Sequence, residues 1–488
     1  MERVVIIVSI TGPTMSDALT QVASSDRFAD AFEFRLDLIR APAIATLMLS
    51  TAKPIVATCR PAWEGGGFRG SEAARVEILS SASLLGADYV DIEMGTSRRF
   101  LSGFLARRRE TGVILSRHLP KGARVNVRGV YRTMTRFDAD VLKFAFHATD
   151  AWQNALAWEF LALAGKERRK AIAIAMGDAG EPTRVLYRVF GGWATYASSE
   201  EGNPAAPGQV SARMLKDVYR ADRRKRTTRI FGVIGNPVGQ SKGIFVHNAL
   251  FARAGKNAIY CRFVVADLGR FMKRVAPLLK GFSVTIPHKA SVMKYLQAID
   301  GRAKAIGAVN TVLHRRGGWW GTNTDAPGAL DAIEKRTSVA GKTILILGAG
   351  GAARAIAYEA RKRGAVVLVA NRTEKRARRL AFDLHIQHIE MKEIRSVVFD
   401  ILVNATTIGM VPNIACSPAP ASMLQGKLVF DVVYNPPVTE LLRAAAAVGA
   451  QTIEGTEMYI NQAARQFRLY AGIAPDMDAM KEILSQRS

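Results

Sequence analysis

The first half of the chain alternates short apolar runs with longer stretches of mixed polarity. Eight of the runs are apolar enough to be buried strands, at 4–10, 32–37, 54–60, 89–94, 112–118, 141–146, 171–177 and 189–197. Segments long enough for helices separate most of them, and this alternation favours parallel strands joined by right-handed crossovers. The pattern predicts an α/β fold with a (β/α)8 TIM barrel, in which active sites lie at the C-terminal ends of the strands.

One of these predicted strands contains a lysine. In ADVLKFAF, residues 139–146, Val141, Lys143 and Ala145 share one face, because side chains alternate along a strand. Lysine is rarely buried, since removing an ammonium from water is costly. Taken alone, this stretch is more typical of an edge strand with a solvated lysine than of a functional lysine.

A highly charged stretch, residues 218–229, separates the predicted barrel, 1–217, from the second half, and we interpret it as a linker. Residues 230–325 have the pattern of an α/β lobe. A βαβ unit at 342–373 then begins another lobe, which we predict to be of the Rossmann type.

The βαβ unit contains a dinucleotide-binding pattern. TILILGAGGAARA, residues 343–355, reads as a strand, a glycine turn and a helix start. Gly348 permits the tight turn, Gly350 allows a pyrophosphate to approach the backbone, and Ala353 allows close helix packing. The helix N-terminus supplies free N–H groups for the phosphates. The turn residues predicted to contact the cofactor are Gly348, Ala349, Gly350, Gly351 and Ala352.

The end of the second strand of this unit indicates which dinucleotide binds. Folds that bind NAD usually place an acidic residue there, whereas this chain has ANRTEKR at 370–376. Arginine suits a 2′-phosphate, so NADP(H) is the predicted cofactor. The predicted contacts are Asn371, Arg372, Thr373 and Arg376.

Composition narrows the class of protein further. No stretch of about 18 uncharged apolar residues predicts a membrane span. The apolar run near the N-terminus reads as a first strand and not as a signal peptide. Cys59, Cys261 and Cys416 lie far apart without CxxC spacing, which argues against a metal site and favours a reduced, cytoplasmic location.

The net charge of +26 requires that nucleic acid be considered as a partner. The basic residues are dispersed, and neither zinc-finger spacing nor an aromatic-basic RNA-binding signature is present. Solvated helix faces account for the charge better, and a positive field also attracts small anionic substrates. We therefore expect small anions and not nucleic acid.

Residues 230–488 carry a series of motifs that follow one another in a known order. They are GNPVGQSKGIFVHN (235–248), GFSVTIPHK (281–289), IGAVNTV (306–312), GTNTDAPG (321–328), NATTIGM (404–410), DVVYNPPVTELL (431–442) and GTEMYINQAARQF (455–467). In these motifs the second half resembles shikimate dehydrogenase along its whole length. The resemblance implies a substrate and catalytic lobe of 230–325 and 456–488, and an NADP-binding lobe of 326–455.

The same resemblance implies roles for individual residues. Lys289 and Asp325 become the catalytic pair, and a Lys–Asp pair beside a nicotinamide can relay the proton that accompanies hydride transfer. The residues implied to surround the substrate are Ser241, Gly243, Thr285, Asn310, Tyr434 and Gln462. Thr406, Gly455 and Met458 are implied to contact the cofactor.

One motif departs from the family. Where the family has S-x-S-P, this chain has SKGI, so that Ser241 remains but Gly243 and Ile244 replace a serine and a proline. Losing one hydroxyl weakens carboxylate binding by about 1 kcal/mol. The freed space suits a substituent on the carbon that bears the carboxylate, such as the C1 hydroxyl of quinate, so we expect some quinate activity.

The barrel half combines a lysine with a histidine and a glutamate. Lysine forms an imine with a ketone once its amine is neutral, a histidine can move protons at the adjacent carbon, and a carboxylate can orient the histidine. This chemistry also suits a class I aldolase, so the residue types alone leave both possibilities open.

The motifs of residues 1–215 decide between them. FEFRLD, ATCRPAWEGGGF, SRH, ADVLKFA, AMGDAGEPTRVL and AAPGQV are similar in order and spacing to type I 3-dehydroquinate dehydratase. By that resemblance Lys143 forms the Schiff base, His118 is the general acid and base, and Glu64 orients His118. The implied substrate-binding residues are Glu33, Arg35, Arg60, Arg184 and Gln209. We expect His118, Arg60 and Arg184 to help keep Lys143 neutral.

This half also departs from its family at two hydroxyl positions. Ala205 stands where a serine is usual in the loop that covers the substrate, and Thr183 precedes Arg184 where a serine is usual. The Lys–His–Glu centre is intact, so we expect activity at a reduced rate.

The two resemblances describe consecutive reactions. The first dehydrates 3-dehydroquinate to 3-dehydroshikimate, and the second reduces that product to shikimate with NADPH. The alternative is an enzyme of quinate oxidation with a weakly active dehydratase half, and a nucleic-acid-binding protein on an enzyme scaffold is a third possibility.

Overall fold

The computed structural model of the chain describes residues 6–107, 110–201 and 204–486. By its internal contacts the chain divides into two compact units. The first consists of Met1–Ile230, Asn236–Gly239 and Asn257–Leu278, and the second of Phe231–Gly235, Gln240–Lys256 and Leu279–Ser488.

The first unit contains an eight-stranded parallel sheet with the strand order β7-β6-β5-β4-β3-β2-β1-β8. Its strands are β1 (Ile6–Ile10), β2 (Ala31–Arg35), β3 (Ile55–Thr58), β4 (Tyr89–Glu93), β5 (Gly112–His118), β6 (Val141–His147), β7 (Lys170–Met176) and β8 (Thr195–Ser198). The backbone N–H of Trp193, just before β8, donates to the carbonyl of Ala171 on β7 at 2.8 Å and brings the two ends of the sheet together. The predicted barrel is therefore confirmed.

Helices follow the strands on the outside of the barrel. They are α1 (Met15–Ser25), α2 (Ile44–Met48), α3 (Glu72–Leu84), α4 (Arg98–Arg107), α5 (Val127–Met134), α6 (Asn154–Lys166) and α7 (Glu181–Val185). Side-chain caps define where several of them begin: Thr14 and Asp17 form a capping box at α1, and Ser71 caps α3.

The register of the barrel strands separates an apolar layer from a polar one. Aligned positions such as Ile7, Val56 and Val141 belong to one buried apolar cluster. Because side chains alternate, the next inward-facing position lies two residues further along each strand. Those positions are polar on six consecutive strands: Ser9, Glu33, Thr58, Asp91, Ser116 and Lys143. The sequence therefore places its polar residues together towards the C-terminal end of the barrel.

Two segments differ from the predicted boundaries. The strand predicted at 189–197 is confined to β8, because Gly191 adopts a φ of 84° and the N–H of Gly192 bonds the carbonyl of Tyr187 in a turn. The charged stretch 218–229 is packed: Tyr219 is buried, and the Arg224 guanidinium donates to the carbonyls of Tyr219 and Ala258.

The second half begins with a six-stranded mixed sheet of order β10-β9-β11-β13-β14-β12. Its strands are β9 (Arg229–Gly235), β10 (Ala258–Val264), β11 (Gly281–Val284), β12 (Ala298–Ile299), β13 (Thr311–Arg315) and β14 (Gly318–Thr322). The helices of this part are α8 (Gly243–Arg253), α9 (Leu268–Arg274), α10 (Gly301–Ile306) and α11 (Asp325–Glu334).

The last part is a parallel sheet of order β17-β16-β15-β18-β19-β20, which is the Rossmann order. Its strands are β15 (Thr343–Leu347), β16 (Val366–Ala370), β17 (Gln387–His388), β18 (Ile401–Asn404), β19 (Leu428–Asp431) and β20 (Gln451–Ile453). Its helices include α12 (Gly351–Lys362), α13 (Glu374–Leu384) and α14 (Glu440–Ala447). The last two helices of the chain follow: α15 (Gly455–Ala471) packs against α11, and α16 (Met477–Ser485) packs against α8. The Rossmann-type prediction is confirmed.

Among the residues that the structure describes, no helix combines the length and apolar character needed to cross a membrane.

Candidate active sites

The polar layer of the barrel surrounds a cavity of about 230 Å³. All eight side chains predicted as catalytic or substrate-binding in this half line it: Glu33, Arg35, Arg60, Glu64, His118, Lys143, Arg184 and Gln209. Residues from six different strands or their following loops thus meet at one place, as the parallel barrel requires.

Lys143 is buried, with 4% of the residue exposed, on a strand that pairs with β5 and β7. Its Nζ lies 2.8 Å from Asp91 Oδ2, 3.6 Å from Glu33 Oε1 and 3.8 Å from the centre of the Tyr196 ring. A solvated edge-strand lysine is therefore excluded. The closest charged groups are carboxylates and not the expected cations, because the register places Asp91 and Glu33 in the same layer as Lys143.

The sequence predictions missed the two acids of β4. Asp91 Oδ2 also lies 3.1 Å from the Arg60 guanidinium, and Glu93 lies between Arg60 at 3.1 Å and Arg75 at 2.5 Å. Burial opposes ionisation of Asp91, but the cations Arg60 and Lys143 outweigh it and hold the pKa of Asp91 well below its usual range. The signal was present in YVDIEM, where two acids one strand period apart interrupt an apolar run.

His118 ends β5 and is oriented by its neighbours. Glu64 Oε2 accepts the backbone N–H of His118 at 3.0 Å and lies 2.9 Å from its Nδ1, while Arg60 Nη1 lies 2.8 Å from the same nitrogen. Burial, together with Arg60 and Lys143, lowers the pKa of His118 well below its usual value. A neutral imidazole results, and its Nε2 has no hydrogen-bond partner in the described ranges.

The loop that carries Glu64 is tied to the end of β2. Arg35 forms two hydrogen bonds with Asp37, at 2.9 and 2.7 Å, and Asp37 also accepts the N–H of Gly67 at 2.8 Å. Arg117 donates to Glu64 Oε1 at 3.1 Å from the other side. These contacts fix the carboxylate that orients His118.

Arg184 on α7 provides a buried positive charge without a full set of partners. Its Nη1 donates to the carbonyl of Tyr196 at 3.2 Å, while its buried Nε has no partner in the described ranges. Burial lowers the pKa of Arg184 to about 10. A guanidinium in this state favours an anionic ligand, since an unpaired buried donor is costly.

The loop that follows β8, at 205–209, completes the cavity. Gln209 Oε1 accepts the N–H of Ala205 at 2.8 Å, and Gln209 Nε2 donates to Ser9 Oγ at 3.2 Å. Ser9 in turn donates to Glu33 Oε2 at 2.7 Å. The Thr183 hydroxyl bonds the Gly180 carbonyl and the Ala175 N–H, so it stabilises the backbone next to Arg184.

The second candidate site centres on Lys289 and Asp325, the two residues proposed from the sequence as a catalytic pair. Lys289 Nζ donates to Asp325 Oδ2 at 2.6 Å, and Asn310 Nδ2 donates to Asp325 Oδ1 at 2.8 Å. Thr324, which the predictions missed, bonds Asn310 at 2.9 Å and lies 3.5 Å from Gln462 Oε1. The repeated threonines of GTNTDAPG were the available signal for Thr324.

The other predicted substrate residues lie in neighbouring loops. Ser241 Oγ accepts the N–H of Gly243 at 3.4 Å, and the Thr285 N–H bonds the Ile234 carbonyl directly after β11. The loops of Tyr434 and Ser241 meet through Asn435 and Gln240 at 3.5 Å. Within the described ranges no hydrogen bond joins Ser241, Thr285 or Tyr434 to the Lys–Asp pair.

The glycine turn of the Rossmann lobe has the shape that a dinucleotide needs. Gly348 has a φ of 116°, and a Cβ there would lie 2.8 Å from the Ala405 carbonyl. A Cβ at Gly350, before α12, would meet no atom within 4 Å, so its outer side is open for a pyrophosphate. A Cβ at Gly351 would lie 3.8 Å from Lys289 Cδ, which places this turn beside the Lys–Asp pair.

The predicted contacts beyond the turn divide into exposed and packed residues. Arg372 and Arg376 are exposed after β16 and make no ion pair in the described part of the chain, and Asn371 bonds the Thr373 carbonyl at 2.9 Å. Thr406 donates to Asn404 at 2.7 Å. Gly455 and Met458 are buried, and Met458 packs in the core of the lobe.

Across the described ranges, no group of three or more His, Cys, Asp or Glu side chains is placed to hold a metal ion.

Comparisons with known proteins assign both halves. The type I 3-dehydroquinase model matches residues 6–226, the shikimate dehydrogenase substrate-binding domain matches 233–312, and the shikimate/quinate 5-dehydrogenase model matches 331–446. The chloroplastic bifunctional 3-dehydroquinate dehydratase/shikimate dehydrogenase of Arabidopsis thaliana is 32% identical over 510 residues, which cover 98% of this chain and 84% of that protein. The chain belongs to this bifunctional family.

Relatives that match only the second half of the chain support the assignment of that half to shikimate dehydrogenase. The NADP(+) shikimate dehydrogenase of Pyrococcus furiosus is 43% identical over 260 residues, covering 52% of this chain and 95% of that protein. A crystal structure of shikimate dehydrogenase in complex with NADP+ superposes with a TM-score of 0.51 at 38% identity, covering 54% of this chain and 97% of that one. Both resemblances inferred from the motifs are thus confirmed.

Proposed function

We propose that this chain dehydrates 3-dehydroquinate to 3-dehydroshikimate in its barrel and reduces that product to shikimate with NADPH in its second half. The observation that carries the proposal is a buried lysine at a barrel cavity, with a neutral, carboxylate-oriented histidine on the same wall. The Lys289–Asp325 pair beside a dinucleotide turn supports the second reaction.

In the barrel, Lys143 Nζ adds to the C3 ketone, and loss of water gives an imine. His118 removes a proton from C2, since its low pKa keeps it neutral, and then protonates the C1 hydroxyl, which leaves as water. Hydrolysis of the imine releases 3-dehydroshikimate and regenerates the amine. The Nδ1 side of His118 faces Glu64 and Arg60, so Nε2 is the atom assigned to the proton transfers.

Substrate binding in the barrel depends on the unpaired charge of Arg184. We assign the substrate carboxylate to Arg184, because its buried Nε lacks a partner. The hydroxyl groups are assigned to Glu33, Arg35 and Gln209, which line the same cavity. Arg60 holds Asp91, Glu93 and His118 together and so positions the catalytic groups.

In the dehydrogenase half, bound NADPH supplies the hydride for the C3 carbonyl. Lys289 Nζ provides the proton to the carbonyl oxygen, and Asp325 fixes the ammonium through their 2.6 Å contact. Asn310 holds the second oxygen of Asp325, so the carboxylate cannot turn away from Lys289. Ser241, Thr285, Tyr434 and Gln462 are assigned to the carboxylate and hydroxyls of the substrate.

The cofactor preference rests on β16. The strand ends without an acid, and two exposed guanidiniums, Arg372 and Arg376, follow it without ion-pair partners in the described ranges. Such charges favour the 2′-phosphate of NADP(H) over the hydroxyl of NAD(H). Gly348, Gly350 and the start of α12 are assigned to the pyrophosphate.

A single incubation tests both reactions. The full chain, given 3-dehydroquinate and NADPH, is expected to form shikimate, and borohydride added with 3-dehydroquinate is expected to attach substrate mass to Lys143. Lys143→Met should abolish trapping while leaving reduction of added 3-dehydroshikimate intact. Lys289→Met should abolish reduction of 3-dehydroshikimate while leaving trapping at Lys143 intact. Trapping at another residue, or shikimate formation unaffected by both changes, would contradict the proposal.

The SKGI motif favours quinate as a second substrate of the dehydrogenase half. Gly243 has no hydroxyl to place against a carboxylate, and Ser241 Oγ is the group left there. The intact Lys–His–Glu centre of the barrel argues against the alternative of a weakly active dehydratase half. Oxidation of quinate by the wild type, reduced in Gly243→Ser without loss of shikimate oxidation, is the expected result; no quinate oxidation above background would end the idea.

We retain the cytoplasm as the proposed compartment, because the three cysteines lie far apart in the sequence and favour a reduced environment. None of Cys59, Cys261 and Cys416 forms a disulfide, and the first two are buried. Cell fractionation with an antibody to the chain tests this assignment, and recovery in an oxidising compartment would contradict it.

A further inference from the structure

A second cavity lies in the second unit, among α11, α15 and the start of α16. Its volume is about 450 Å³, which is within the range of small-molecule sites. Lys289 and Asp325 do not line it. Thr324, next to Asp325, lines one side of it, so the cavity adjoins the second candidate site. The reactions proposed above nevertheless leave its charged side chains without a role.

The charged residues of this cavity are three arginines and one aspartate: Arg302, Arg465, Arg468 and Asp331. Asp331 already contacts two guanidiniums, those of Arg465 and Arg363. Arg302 lies 3.0 Å from Glu359. Arg468 makes no ion pair or side-chain hydrogen bond in the described ranges, so the lining retains a positive charge with one guanidinium available to a ligand.

The remaining wall is largely apolar. Trp320, Pro327, Leu469, Pro475 and Met477 contribute to it. One face of the Trp320 ring is covered by the Arg315 guanidinium, 3.6 Å from the ring centre. Asn461 uses its amide N–H on the Gly328 carbonyl at 3.0 Å. The site thus offers apolar surface together with guanidinium donors.

We propose that this cavity binds a small carboxylate that has an apolar ring or chain. Arg468 holds the carboxylate, with its planar fork matching the two oxygens, and the apolar body lies against Trp320 and Met477. A bare phosphate or sulfate matches the charge but leaves the apolar wall uncovered. A neutral ring matches the wall but leaves the guanidinium without its counterion.

The test uses benzoate as the probe and titration calorimetry of the full chain, with shikimate present at saturation and no nucleotide. Benzyl alcohol serves as the neutral match and sulfate as the bare anion. The variant is Arg468→Gln, and the control is Arg395→Gln, which removes an exposed arginine that likewise makes no ion pair in the described part of the chain. Retained dehydratase and dehydrogenase activity shows that both variants fold.

We expect benzoate binding that is at least tenfold weaker in Arg468→Gln and unchanged in Arg395→Gln, because a charge-assisted pair is lost. Benzyl alcohol and sulfate should each bind at least tenfold more weakly than benzoate. Equal benzoate affinity in the two variants would assign the binding to another site and overturn the proposal. Sulfate that binds as tightly as benzoate would overturn the carboxylate assignment, leaving a site for any small anion.

Discussion

Lys143 Nζ lies 2.8 Å from Asp91 Oδ2, and both side chains are buried in the barrel. The contact joins β6 to β4 across the interior and aims the amine at the cavity. Arg60 contacts the same carboxylate at 3.1 Å, so Asp91 forms ion pairs with two cations at once. Asp91 is thus the group that keeps the lysine and the arginine side by side.

Removing the charge of Asp91 is expected to impair the dehydratase. Asp91→Asn leaves Lys143 and Arg60 without their shared counterion, so Nζ moves from its position, and displacements of about 1 Å can cost a factor of about 100 in rate. The kcat for 3-dehydroquinate should fall by roughly that factor, with slower borohydride trapping. Asp88→Asn, also at β4 but bonded to the Ile55 N–H, is the control and should keep its rate.

The dehydratase should keep its activity near neutral pH and lose it only in acid, well below pH 6.5. The pKa of His118 is lowered from its usual 6.5, so the imidazole is neutral at pH 7 and becomes protonated only at lower pH. The kcat/KM for 3-dehydroquinate should therefore hold level from pH 7 to pH 6.5 and decline only well below pH 6.5. His147→Gln removes another histidine of the cavity and should show the same decline of kcat/KM in acid. A midpoint of this decline above pH 6.5 would contradict the assignment of His118.

The Lys289–Asp325 pair should govern only the second reaction. Lys289→Met removes the proton donor, and Asp325→Asn removes the charge that fixes it, so each should lower kcat for 3-dehydroshikimate by about 10²- to 10⁴-fold. The dehydratase rate of the same preparation is the internal control, because the barrel does not contain these residues. A change in KM alone would indicate a binding role instead.

The arginines after β16 should set the preference for NADPH. Arg372→Gln combined with Arg376→Gln removes charge-assisted hydrogen bonds of about 1.5–3 kcal/mol each, so the KM for NADPH should rise by roughly a hundredfold or more. The KM for NADH should not change, since it lacks the 2′-phosphate. Arg378→Gln on α13, which loses only an exposed pair with Glu374, is the control.

Arg75 should stabilise the barrel without touching the substrate. It is 1% exposed, and it binds Glu93 at 2.5 Å and Thr96 at 2.7 Å. Arg75→Met leaves Glu93 with only one of its two cations, and losing a partner of a buried ion pair costs about 3 kcal/mol of unfolding free energy.

The measurement is the urea concentration at which dehydratase activity is lost, which reports on the barrel specifically. Arg128→Met removes an exposed pair with Glu159 and should shift the midpoint little. An equal shift in both variants would show that the buried position of Arg75 has no special effect on stability.

Much of the site could be predicted because its residues carry local patterns. A lysine in an apolar strand, a histidine at a strand end and a glycine turn between strand and helix each have a structural meaning within a few residues. Arg75 escaped prediction, because an arginine in a helix acquires its meaning only from partners on other elements. Asp91 had a local signal in YVDIEM, but its role depends on Arg60 and Lys143 from other segments of the chain. Thr324 was missed for the same reason.

The sequence by itself determined the order of the elements and the two reaction types, and it supplied the residues proposed for each reaction, since periodicity and motifs are properties of neighbouring residues. Tertiary structure alone decided that carboxylates and not cations stand closest to Lys143, that the charged stretch 218–229 packs around Arg224, and that three arginines share one cavity. Those facts depend on strand register and on contacts between distant segments, which fix charges at distances that no local pattern encodes.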